Sequence, residues 1–79
     1  MSRSDSRPVK HSLTLRGHRT SVSLEPSFWS AFRALAVRRG LPINALAAEI
    51  DAARGDSMGL ASAIRIAVLT DLQARLGEG

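Results

Sequence analysis

Arg19, Ser21 and Ser23 stand two apart in the segment Arg19-Thr-Ser-Val-Ser-Leu24. In an extended chain, residues two apart share a face. An arginine and two serines therefore line one side, and Val22 and Leu24 line the other. Such a row has a definite chemistry. A guanidinium can donate two hydrogen bonds to guanine O6 and N7, and a serine hydroxyl can donate to or accept from a base edge in a major groove. The same row also describes the solvent side of any half-buried strand, so the surrounding charge must be weighed with it.

The charge is uneven. Residues 1–24 carry Arg3, Arg7, Lys10, Arg16 and Arg19 against Asp5 alone, whereas residues 25–79 carry six arginines and six acids. The whole net charge of +4 thus sits on the N-terminal third, which suits a polyanionic partner. Lys10 and Arg16 are expected to touch phosphates, and Arg3 and Arg7 extend the basic arm. Arg38 and Arg39 close a helix, where they complement its dipole. The start of the next helix, at Ile43 and Asn44, offers free backbone N–H groups of the kind that hold phosphates.

Other chemistries find little support. There is no cysteine, and His11 and His18 have no carboxylate at ligand spacing, so no metal site is expected. No nucleophile elbow, glycine-rich phosphate loop or paired carboxylates appear, and neither an enzyme nor a cofactor is expected. No apolar run is long enough to span a membrane, and no signal segment follows the first charges; a cytoplasmic protein is the expectation. At 79 residues the chain makes one small domain with a limited core.

These side chains need elements to carry them. Pro26 to Arg39 reads as a helix, opened by proline and stopped by Gly40, with Phe28, Phe32, Leu35 and Ala36 on one face and Trp29 beside it. A second helix runs from about Pro42 to Arg54, with Ile43, Leu46, Ala47, Ile50 and Ala53 as its stripe. A third covers about Met58 to Leu76, with Ser57 as its expected N-cap. The strand before Glu25 then has no obvious partner, and an unpaired strand must recruit one, most simply from a second copy. A hairpin is the other solution. Leu13 and Leu15 are out of phase with Val22 and Leu24, and a type II′ turn at Gly17-His18 would repair this. It would set Leu15 opposite Thr20, Leu13 opposite Val22 and Ser12 opposite Ser23.

The run Arg19-Thr-Ser-Val-Ser-Leu-Glu-Pro-Ser-Phe-Trp29, followed by Leu35-Ala36, Arg39-Gly40-Leu41 and Asn44-Ala-Leu46, resembles the ribbon-helix-helix domain of the Arc/MetJ type, and more closely its small bacterial members. The resemblance covers about Arg19 to Asp51 well and His11 to Leu72 loosely. It implies a mainly α fold with a short N-terminal β-ribbon, joined here by a third C-terminal helix, in an intertwined homodimer whose ribbon enters the major groove. It also implies a dimer core drawn from Val22, Leu24, Phe28, Phe32, Leu35, Leu46 and Ile50. One departure is Pro42, where the family often has a serine or threonine cap.

The expected organisation is therefore a disordered basic arm over residues 1–10 and a ribbon-helix-helix domain with its extra helix over residues 11–76. The expected function is sequence-specific DNA binding by a small homodimeric transcriptional regulator. Arg19, Ser21 and Ser23 would contact bases, and Ile43, Asn44, Arg16 and Lys10 would contact phosphates. The competing function is an adaptor or antitoxin-like module that holds a protein on the same scaffold. A free His11–Leu15 arm favours DNA. A strand fixed beside the ribbon favours a protein, because four strands across a dimer would be wider than a groove of about 12 Å.

Overall fold

The structure, a computed structural model, describes residues 7–78. Strand β1 (Val9–Leu15) turns back into β2 (His18–Leu24), and helices α1 (Pro26–Arg39), α2 (Ile43–Ala53) and α3 (Leu60–Glu78) follow. The two strands form an antiparallel sheet within one chain. The strand expected to need a second copy is thus paired inside its own domain. Residues 1–6 of the expected arm lie outside the described residues, but Val9 and Lys10 belong to β1, so the ordered ladder starts earlier than position 11.

The hairpin register differs from the expected one. Leu15 pairs with His18, Leu13 with Thr20, His11 with Val22 and Val9 with Leu24. The turn residues are therefore Arg16 and Gly17, not Gly17 and His18, and both have positive φ, 53° and 84°. That is the signature of a type I′ turn, whose twist matches that of the flanking strands. The shift is two residues along the partner strand, so every side chain keeps its face. The change lengthens the ladder and brings Val9 into it.

Leu13, Leu15, Val22 and Leu24 are buried against the helices, and the residues between them are exposed. The core continues through Phe32, Leu35, Ala36, Leu46, Ala47, Ile64 and Val68. Five of the seven residues expected in a dimer core, Val22, Leu24, Phe32, Leu35 and Leu46, are therefore buried within a single chain. Phe28 and Ile50 are only partly buried.

Helix α1 starts with Pro26 and ends in a Schellman arrangement. Gly40 takes φ 68°, its N–H donates to the Val37 carbonyl, and the Leu41 N–H donates to that of Ala36. Helix α3 begins at Leu60, two residues after the expected start, and Ser57 is not its cap. The Arg54 guanidinium explains this. It bonds the Asp51 carboxylate at 2.7 Å and the carbonyls of Gly55 and Met58, which holds residues 55–58 as a loop. The Gly59 carbonyl then accepts the first helical bond, from the Ala63 N–H at 3.0 Å.

Phe32 is fully buried at the centre of this core and Ile50 is not. Phe32→Ala is expected to cost about 3–5 kcal/mol, and Ile50→Ala less than about 2 kcal/mol. Urea denaturation followed by circular dichroism measures both, and equal losses would show the packing to be misassigned.

Candidate nucleic-acid interface

The outward face of the hairpin consists of three cross-strand pairs, Lys10 with Ser23, Ser12 with Ser21, and Thr14 with Arg19. All six residues are exposed. They span Lys10 to Thr14 along β1, about 13 Å at strand rise. Lys10 and Arg19 stand at diagonal corners of this patch, and the exposed Arg16 stands at the turn beyond Arg19. The residues expected to touch bases, Arg19, Ser21 and Ser23, thus form one row, and β1 contributes a second row of the same polarity.

Each residue reaches this face for a local reason. Leu13, Leu15, Val22 and Leu24 must face the helices, and strand alternation then forces the polar residues outward. The hairpin is also anchored along one side. The Thr14 N–H donates to Asn44 Oδ1 at 3.1 Å. Asn44, expected as a phosphate contact, therefore uses its side-chain oxygen to satisfy an N–H on the outer edge of β1 that would otherwise stay unpaired. Helix α2 begins after Pro42, which provides no side-chain cap. The Ala45 and Leu46 N–H groups both bond the Pro42 carbonyl, whereas those of Ile43 and Asn44 have no backbone partner among the described residues. These open donors sit beside Thr14, at the margin of the polar face.

The far end of β2 is anchored by Glu25. Its carboxylate receives two hydrogen bonds from the Arg65 guanidinium, at 2.9 and 3.1 Å. The same guanidinium lies 5.7 Å from the Phe28 ring centroid. The start of β1 is held by a stack of His11 on Trp29, with ring centroids 3.7 Å apart and planes within 5°. Neither contact was anticipated from the sequence. The signal for the stack is present in the odd-numbered positions, since His11 shares the inward phase of Leu13 and Leu15.

Most of the ion pairing lies in the helical part, where Arg33 alone among the arginines has no acidic partner among the described residues. In the helical part, Arg38 and Arg75 pair with Asp71, Arg39 with Glu49, Arg54 with Asp51 and Arg65 with Glu25. Lys10, Arg16 and Arg19 have no acidic partner among the described residues. Among those residues no cluster suited to a metal ion occurs, and no helix is long and apolar enough to cross a membrane.

A two-stranded antiparallel ribbon followed by helices, with a polar basic outer face, is the architecture the Arg19–Trp29 junction suggested. The chain matches the ribbon-helix-helix domain over residues 8–72. It belongs to the ribbon-helix-helix family. Members of that family typically bind DNA as transcription regulators. No curated protein and no solved structure matches the chain. In this ribbon-helix-helix protein both strands of the ribbon come from one polypeptide, and α3 packs beneath β2 while α2 packs beneath β1.

The Glu25 carboxyl titrates below its ordinary 4.5, first because its own backbone N–H bonds it and then because Arg65 does; burial opposes the shift. A lowered native value means that the stabilisation is complete above pH 4.5 and is lost as pH falls through the native value. Glu25→Gln should therefore destabilise the protein at neutral pH, with the difference from wild type shrinking below pH 4.5. Urea titrations across a pH series test this, and a pH-independent difference would contradict it.

Proposed function

We propose that this chain is a non-enzymatic, sequence-specific DNA-binding protein, a small transcriptional regulator that works as a homodimer and places the outer face of its hairpin in the major groove. The observation that carries this reading is the uncompensated patch made by Lys10, Arg16 and Arg19 around Ser12, Thr14, Ser21 and Ser23. Within it Arg19, Ser21 and Ser23 read base edges. Lys10, Arg16 and the Ile43 and Asn44 backbone donors hold phosphates on either side.

Fixing β1 beside β2 was expected to argue against groove insertion, because pairing across a twofold would make four strands. Three strand spacings, roughly 14 Å, exceed the groove. The hairpin alone is only about 4.8 Å between strand axes, which the groove admits as a two-stranded ribbon. The DNA reading therefore requires that the outer edge of β2 stay unpaired. The second reading draws on that same edge. The backbone groups of Arg19, Ser21 and Ser23 point away from β1 in this register and could accept a strand from a protein partner.

Arg19→Ala should cost about 1–3 kcal/mol on a preferred duplex and far less on a random one, since a base contact carries sequence information and a phosphate contact does not. Lys10→Ala should weaken both duplexes alike and lower the salt slope by about one. The measurement is a competition titration against duplex selected from fragmented genomic DNA, at two salt concentrations. Equal losses on both duplexes would demote Arg19 to a backbone contact. A folded wild type that binds no duplex at low salt would transfer the assignment to the protein-binding reading.

A further inference from the structure

The inner face of β2 changes character halfway along. Leu24 and Val22 are buried, whereas Thr20 and His18, in the same phase, are exposed. The register fixes that phase. Thr20 pairs with the buried Leu13 and His18 with the buried Leu15, and directly opposed residues share a face. If a helix covered these positions, alternation would call for apolar side chains there. Beneath them instead lies a hollow of about 550 Å³, between the turn end of the hairpin and the corner joining α2 to α3.

The hollow has two unlike kinds of lining. Leu15, Ala48 and Leu60 are apolar, and Arg16, His18 and Thr20 carry hydrogen-bond donors. None of those three polar side chains has a hydrogen-bond partner among the described residues. The acid in the lining is Asp51, and its carboxylate already accepts from Arg54 at 2.7 Å. The Arg54 guanidinium also donates to the carbonyls of Gly55 and Met58. That pair cancels, and the charge left facing the hollow is the guanidinium of Arg16. The volume falls within the range of small-molecule sites, roughly 300–1,000 Å³. An apolar wall with a few convergent polar groups is also their usual make-up.

We propose that this hollow binds a small amphipathic organic anion, a carboxylate carried on a compact apolar body. The carboxylate pairs with the Arg16 guanidinium, which can donate two parallel hydrogen bonds to it. The His18 imidazole and the Thr20 hydroxyl are further donors beside it. The apolar body covers Leu15, Ala48 and Leu60. An inorganic anion would leave the apolar wall unused, and a neutral molecule would leave the cation unanswered. The consequence of binding rests on the DNA-binding reading, in which Arg16 holds a phosphate. A carboxylate seated on Arg16 withdraws that cation from the duplex, so the ligand weakens DNA binding.

The test titrates the full chain with sodium benzoate and with sodium hexanoate, followed by backbone amide chemical shifts. Both should bind saturably in the millimolar range and move the amides of Leu15, Thr20, Ala48 and Leu60 along one isotherm. Acetate, inorganic phosphate and benzamide each lack one half of the chemistry and should bind about tenfold more weakly or not at all. Arg16→Gln should raise the benzoate dissociation constant about tenfold. Ala48→Leu fills the hollow with another good helix former and should abolish binding while circular dichroism stays unchanged. Saturable binding of neither carboxylate, phosphate binding as tight as benzoate, or benzoate binding indifferent to Ala48→Leu would each overturn the proposal. The duplex titration is then repeated at saturating benzoate against equal sodium chloride. Wild type should bind more weakly with a salt slope lower by about one, and Arg16→Gln should not respond. A wild-type duplex affinity that benzoate leaves unchanged would overturn the competition for Arg16. The shift titration contains no DNA, so a failure of the DNA-binding reading shows only in the second measurement.

Discussion

Arg16 and Gly17 both adopt positive φ, and this turn folds β1 back along β2. Most of what the molecule can do depends on that closure. It brings Leu13 and Leu15 onto the same layer as Val22 and Leu24, and those four give the helices a sheet to cover. It also supplies β2 with a partner strand from its own chain, which removes the strongest reason for obligatory pairing between copies. Arginine is not a favoured residue for a left-handed position. Its presence at the tip puts a cation where strand geometry alone would favour asparagine, and the tip projects beyond the basic end of the polar face.

The distribution of ion pairs separates stability from binding. The arginines that touch acids lie on the helices, and their pairs tie α1 to α3, α2 to the end of α1, and the strand-to-helix junction to α3. Most of these pairs are substantially exposed, so individually they contribute little. Their larger effect is to neutralise the helical half. Lys10, Arg16 and Arg19 on the hairpin form no ion pair among the described residues, and neither do Arg7 before it and Arg33 on α1. None of the three hairpin side chains supports the core, so substitutions there should act on binding with small effects on folding. The reverse holds for Phe32 and Leu24.

The legibility of this fold follows the range of the forces involved. Helix α1 was readable to the residue because both its ends are local chemistry, proline at the start and a glycine that must turn left-handed at the stop. The polar face was readable because alternation depends only on the parity of positions, and a register shift of two preserves parity. The register itself was not, since the choice between a turn at Arg16-Gly17 and one at Gly17-His18 depends on how the strands twist over the helices. Ser57 was misread for a similar reason: its local preference to cap a helix lost to Arg54, which gathers the loop carbonyls from the other side. Asn44 lies thirty residues from Thr14, and no pattern within either segment announces that hydrogen bond.

A ribbon completed within one chain changes what a second copy is for. In a two-chain ribbon the partner strand is needed to build the reading element, so folding, dimerisation and recognition are one event. Here one protomer already holds the sheet, the core and the polar patch, and under the proposed DNA-binding reading a second copy adds a second patch. One hairpin presents three cations and four hydroxyl side chains, a small set of contacts for an element that, on that reading, must find its site among many competing ones. Joining two such hairpins makes the second engagement intramolecular, which raises affinity through effective concentration without any new contact to the nucleic acid.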